Sequence, residues 1–226
     1  MLEPVLSKLA DKSIILASGS PRRHHLLNLI GLKFKAIPSN FEENLDKNLF
    51  ALPSDYVKET AKQKAKEVAS NLLEKGTRAD LIIGADTVVV LGDQILEKPA
   101  DERHAAQMLA RFYITYTPIL YKDDNVCNRL SSRSHYVCTG ITLITDIEKE
   151  SMNIVQFHEK TEVIMGELSH EVIEAYVKTG EPMDKAGSFG IQGRGSTLVK
   201  EIHGDYFNVM GFPLYSFSQH LLQLLK

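Results

Sequence analysis

Residues 81–91 read Leu-Ile-Ile-Gly-Ala-Asp-Thr-Val-Val-Val-Leu, an apolar run of strand length broken by one carboxylate and one hydroxyl. Upstream, apolar runs at 13–17 and 34–38 predict two shorter strands, and residues 21–30 between them predict a helix stopped by Gly31. From Ser54, Val57, Ala61, Ala65, Val68 and Leu72 recur at helical spacing, and the stripe ends before Gly76. Gly92-Asp93 predicts a hairpin turn into a strand at 94–96, followed by a helix over 101–112 with an acidic start. Two long strands are expected at 135–147 and 151–165. Ser169 caps a helix running to Lys178 and stopped by Gly180, and a last helix begins near Pro213. Alternating strands and helices predict an α/β protein. The stretch from Arg111 to Ser131 mixes β-branched, aromatic and polar residues, and predicts either a strand pair or a long, poorly ordered surface loop.

Composition narrows the possibilities. Of 226 residues, 43% are hydrophobic, enough for a core, and a net charge of −3 supplies no basic field for duplex nucleic acid. Cys127 and Cys138 are too few for a disulfide framework or a zinc site. No apolar run reaches the length of roughly 18 residues that a membrane span needs, so a soluble, cytoplasmic chain with no membrane partner is expected.

Candidate chemistry begins at residues 16–23, Leu-Ala-Ser-Gly-Ser-Pro-Arg-Arg. A helix N-terminus favours acids, so Arg22 and Arg23 directly after Ser20 and Pro21 imply a bound anion, best read as phosphate. In this reading Ser20 is the N-cap and Gly19 gives the loop its freedom. Asp86, inside the apolar run, must be protonated, paired, metal-bound or at a strand break, and a structural turn-capping role is the alternative. If Asp86 and Thr87 touch one ligand, strand alternation requires a bulge or a strand end there. Gly84 admits the close approach of another backbone or a ligand. Lys64 lies on or beside the apolar helical stripe, either snorkelling to solvent or reaching a phosphate. Lys98, in Leu-Glu-Lys-Pro, is a phosphate ligand or a surface charge, and Glu42-Glu43 is a solvated loop or a holder of Mg²⁺. Gly187, Gly190, Gly193 and Gly195 surround Gln192, whose amide both donates and accepts, enough to read one edge of a base. The histidines show no metal-binding spacing.

ASGSPRR, GADTVVV, LEKP, EPMDKAGSFGIQG and HGDYFNVMGFP, in that order over nearly the whole chain, resemble the Maf family of nucleoside triphosphate pyrophosphatases. The resemblance extends to the Maf portion of animal acetylserotonin O-methyltransferase-like proteins. It implies a single Maf-like domain over 1–226 with an ITPase-like α/β fold: two lobes on an elongated mixed sheet with a central cleft. Residues 113–130 would be an inserted loop. The implied reaction cleaves a nucleotide between its α and β phosphates, with a divalent cation, Mg²⁺ or Mn²⁺, as cofactor and a homodimer as the assembly. Asp86 would activate water, and Ser18, Arg23, Glu43, Lys64 and Lys98 match the family's other site positions, with Glu43 and Asp86 toward metal. Arg22, Thr87 and Gln192 match the positions marking the subtype that prefers dTTP and UTP. Arg23 would thus hold phosphate while Arg22 joins the selector. A non-catalytic nucleotide-binding regulator linked to cell division is the alternative reading, and a nucleic-acid-binding module is disfavoured by charge.

Overall fold

The structure is a computed structural model that describes residues 2–112, 134–148 and 152–225. The expected insertion at 113–130 lies outside the described residues. The elements in chain order are α1 (Glu3–Leu9), β1 (Ile14–Leu16), α2 (Pro21–Leu29), β2 (Lys35–Ala36), α3 (Pro53–Glu74), β3 (Leu81–Leu91), β4 (Gln94–Leu96), α4 (Glu102–Phe112), β5 (Ser134–Thr145), β6 (Asn153–Met165), α5 (His170–Val177), β7 (Val199–His203), α6 (Tyr206–Met210) and α7 (Leu214–Leu224). Short 3₁₀ turns occur at Lys47–Leu49, Glu181–Asp184, Ala186–Ser188 and Gly193–Thr197. The protein is mixed α/β. Its seven-stranded sheet runs in the order β2-β1-β3-β5-β6-β7, with β4 paired to β3. β1 is parallel to β2 and β3, whereas β3/β4 and β6/β7 are antiparallel.

The chain forms two compact units, Met1–Thr87 with Cys138–Lys160 and Asp205–Lys226, and Val88–Val137 with Thr161–Gly204. In the first, the apolar stripe of α3 (Ala65, Val68, Ala69, Leu72) packs with Ile15, Ala17, Ile82 and Ile144. Each fully buried Val or Leu of such a stripe contributes roughly 1.5–3 kcal/mol. Two glycines set how closely the helix approaches the sheet. A Cβ at Gly84 would sit 2.2 Å from the Ala61 carbonyl oxygen, and one at Gly140 would sit 2.5 Å from the Val57 carbonyl carbon. The close approach expected at Gly84 is therefore that of the α3 backbone.

In the second unit α4 packs on α5 and on the turn at Ala186–Ser188. His135 is fully buried there, with Phe112 and Phe189 at ring-centroid distances of 4.4 and 5.0 Å. Neither of its ring nitrogens has a hydrogen-bond partner among the described residues. Burial accordingly pushes its pKa down to about 3.

Three elements escaped the sequence reading. α1 and α6 are too short for helical periodicity to register, and β7 presents a half-exposed edge with an irregular register against β6 at Ile164/Met165. Ser20 occupies the N-cap position of α2 with extended backbone angles, but its side chain makes no capping bond. Gly19 does not adopt a left-handed conformation, and a Cβ there would meet only Pro38 at 3.5 Å, an ordinary contact. The loop is held instead by its neighbours' side chains.

Candidate active site

β1 ends at Leu16, and Ser18-Gly19-Ser20 leads directly into α2, which places Arg22 and Arg23 in the first helical turn. Arg23 folds back over the loop. Its Nη1 donates to Ser18 Oγ at 3.1 Å, its Nη2 to Thr87 Oγ1 at 3.0 Å, and its Nε to the Gly211 carbonyl at 3.0 Å. Ser18 Oγ also accepts from the Ser20 amide at 3.3 Å, and the Ser18 carbonyl lies 3.0 Å from His24 Nε2. The loop is thus pinned by side chains of the helix it precedes.

β3 carries the next two groups without a break between Leu81 and Leu91. Alternation puts Gly84 and Asp86 on the face toward α3 and Thr87 on the other. Asp86, 6% exposed, accepts from Lys64 Nζ at 2.8 Å. The same Nζ lies 2.8 Å from Glu43 Oε1. Glu42 instead accepts from the Asn44 amide group at 3.2 Å, so Glu43 is the carboxylate that joins Asp86. Burial pushes the Asp86 carboxyl above the ordinary aspartate range. Lys64 opposes that rise, Glu43 adds to it, and Arg23 opposes it from farther off. Burial also lowers Arg23, against the pull of Asp86 and Glu43.

On the opposite face, Thr87 Oγ1 lies 3.0 Å from Thr139 Oγ1 on β5 and 3.4 Å from the Gly211 carbonyl. Thr139 is fully buried and donates to the Asn208 carbonyl at 3.4 Å. Thr139 carried no signal in the sequence, since one hydroxyl in a strand is commonplace. The Gly211 carbonyl belongs to the HGDYFNVMGFP segment, to which the sequence alone assigns no role. Because Arg23 reaches Thr87, the residue expected to hold phosphate is hydrogen-bonded to one expected to choose the base.

Seven of the nine expected site residues therefore lie in the first unit: Ser18, Arg22, Arg23, Glu43, Lys64, Asp86 and Thr87. Lys98 and Gln192 lie in the second. Lys98 is exposed just after β4, with Pro99 fixing the chain behind it, and Gln192 is exposed at the start of the Gly193–Thr197 turn. No group of three or more potential metal-ligating acids, histidines or cysteines occurs among the described residues. The pair Glu43 and Asp86 does suit a hard divalent cation. Mg²⁺ takes one or two protein carboxylates and completes its shell with water and phosphate oxygens. The mutual repulsion of these two acids, now relieved by Lys64, is the electrostatic setting such an ion would occupy.

A mixed α/β protein in which the start of α2, the loop after β2, α3 and β3 bring an arginine, a carboxylate, a lysine and a second carboxylate together has the makings of a phosphate-handling hydrolase. The Maf-like protein family model matches residues 13–117 and 123–224, and the chain belongs to the Maf family. It is 46% identical over 228 residues to a human protein named probable bifunctional dTTP/UTP pyrophosphatase/methyltransferase, covering 99% of this chain and 34% of that one. This chain thus spans about a third of the human relative's length. A Bacillus cereus dTTP/UTP pyrophosphatase is 40% identical over 212 residues, covering 94% of this chain and 90% of the bacterial one. Among solved structures, a HAM1 protein from Coxiella burnetii aligns with a TM-score of 0.47 at 16% identity, covering 94% and 99% of the two chains. No helix among the described residues is long and apolar enough to cross a membrane.

Proposed function

We propose that this chain hydrolyses dTTP and UTP to the nucleoside monophosphate and pyrophosphate. Modified pyrimidine nucleotides of the same shape fall within the proposal. The observation that carries it is the buried Asp86 carboxylate, held by Lys64 and joined through it to Glu43, on the strand whose next residue is bonded to Arg23. The names of the bacterial and human relatives supply the substrate.

In this mechanism Asp86 accepts a proton from water as its oxygen attacks the α phosphorus, and the bond from that phosphorus to the bridging oxygen of the β phosphate breaks. Lys64 favours the ionised form of Asp86 against the burial that disfavours it. Arg23, immobilised by three hydrogen bonds, and the amides at the start of α2 provide fixed positive potential for the departing pyrophosphate. Lys98 is assigned to the phosphates, and Arg22, Thr87 and Gln192 to the choice of base. A Mg²⁺ or Mn²⁺ held by Glu43 and Asp86 would supply Lewis-acid charge to the phosphate oxygens. The homodimer enters the proposal through the family resemblance and the cytoplasmic setting through composition, and sedimentation of the purified chain measures the first.

The test is pyrophosphate release from each common nucleoside triphosphate and from modified pyrimidine nucleotides, with and without Mg²⁺ or Mn²⁺. Metal-dependent turnover of dTTP and UTP above the purine nucleotides is expected. Purified, folded protein that leaves every triphosphate intact defeats the proposal.

A further inference from the structure

The second unit contains a carboxylate whose hydrogen bonds go to one loop and to the phenol that holds the same loop. Glu181 Oε1 accepts from the Gly195 amide at 2.8 Å and from the Tyr176 hydroxyl at 3.0 Å, while Oε2 accepts from the Arg194 amide at 2.9 Å. The Tyr176 oxygen in turn accepts from the Gly190 amide at 3.3 Å. These contacts fall at positions two before, two after and three after Gln192. Gln192 itself is exposed and makes no side-chain hydrogen bond among the described residues. The loop is packed to match. A Cβ at Gly195 would sit 2.4 Å from the Gly190 carbonyl oxygen and 2.6 Å from the Tyr176 hydroxyl. One at Gly193, whose φ is +66°, would sit 2.8 Å from Glu181 Oε2. The backbone on both sides of Gln192 is therefore drawn onto one phenol–carboxylate pair, and its side chain is left free.

We infer that Glu181 and Tyr176 are positioning residues for nucleotide selection: they fix the backbone that presents the Gln192 amide, and so sharpen discrimination among bases without touching the reacting phosphates. The inference rests on the proposed function and on Gln192 facing the base. Burial alone would raise the Glu181 carboxyl, but the amides of Gly195 and Arg194 and the Tyr176 hydroxyl hold it below the ordinary glutamate range. It stays an ionised, acceptor-only group across neutral pH, which three converging donors require. A glutamine there would turn one N–H donor toward a backbone N–H donor.

The experiment compares kcat/KM for dTTP, dCTP and dGTP in the wild type, Glu181→Gln, Tyr176→Phe, Gln192→Ala and the double variant Glu181→Gln/Gln192→Ala. Glu181→Gln should lower the dTTP preference about tenfold and Tyr176→Phe about threefold, the scale set by losing one or two buried hydrogen bonds to a recognition loop. In the Gln192→Ala background, Glu181→Gln should remove little further preference, because the two residues act through one contact. Amide hydrogen exchange at 190–195 should quicken in Glu181→Gln and Tyr176→Phe. Equal loss of turnover on all three nucleotides, or a full additional loss in the double variant, overturns the inference. If Glu181→Gln fails to fold, Tyr176→Phe decides: unchanged preference with quickened exchange overturns it. Wild-type protein that hydrolyses nothing, or does not discriminate, refutes the proposed function itself and is read separately from the variants.

Discussion

Each unit of this protein contains a partly or wholly buried acid close to its glycines, and the two acids are held in opposite ways. Asp86 faces a cation and, through it, a second carboxylate, and its burial raises its pKa. Glu181 faces three neutral donors, and its pKa is lowered. A carboxylate satisfied by fixed backbone amides is locked in one state and acts as architecture. One held between burial, which favours its protonated form, and a neighbouring ammonium, which favours its ionised form, feels opposing effects. The same functional group thus sits between opposing effects in one place and among converging donors in the other, and the roles proposed for Asp86 and Glu181 rest on that contrast.

The sharpest way to break this comparison is Asp86→Asn. It should reduce kcat for dTTP by about 10³-fold, in the range of a lost general base, with dTTP binding retained by calorimetry and the Tm little changed. A large fall in Tm with kcat preserved would make Asp86 the scaffold instead. Next, Lys64→Met leaves Asp86 buried without its cation and should cost about 3 kcal/mol in urea unfolding, in addition to its effect on turnover. Gly84→Ala drives a methyl into the Ala61 carbonyl and should cost about 2–3 kcal/mol by the same measurement.

The second unit offers a test by pH. His135 is neutral when folded, with a pKa of about 3, and regains its ordinary value near 6.5 when unfolded. Its contribution is complete above pH 6.5 and is lost as pH falls toward 3, because only the unfolded chain takes up the proton. Stability should therefore drop by about 1.4 kcal/mol per pH unit across that window from this group alone. His135→Phe should flatten the slope, and denaturant midpoints between pH 7 and 4 measure it. The smallest effect is expected at Arg22. Arg22→Ala should shift the dTTP/dCTP preference by about threefold, the loss of one hydrogen bond. Arg23→Ala, which also frees Ser18, Thr87 and Gly211, should lower turnover on every nucleotide and disturb preference as well. Identical profiles for the two variants would erase the distinction between them.

Much of this was legible in the chain. The strand at Leu81–Leu91, the hairpin to Gln94–Leu96 and the stop at Gly180 follow from local pattern and turn chemistry, and appear as expected. The oddity of Asp86 and Lys64 on apolar faces could also be read, because a charge at a buried position breaks the periodicity. What those charges met could not. The Lys64–Asp86 bond joins residues 22 apart in sequence, and the Arg23–Gly211 bond joins residues 188 apart. Sequence pattern reports which face a residue occupies and is silent on which distant residue shares it. Glu181 escaped for a different reason: an acid beside glycines looks solvated until the loop closes on it.

Gly84 and Gly140 also bear on how this protein could be diversified. Both are small because α3 passes within contact distance of β3 and β5, a clearance unrelated to which nucleotide is used. A mutational library aimed at new substrates should hold positions 84 and 140 constant and randomise 22, 87 and 192. Relatives with different nucleotide preferences should show the same split, with the glycines shared and the proposed selector positions free to drift.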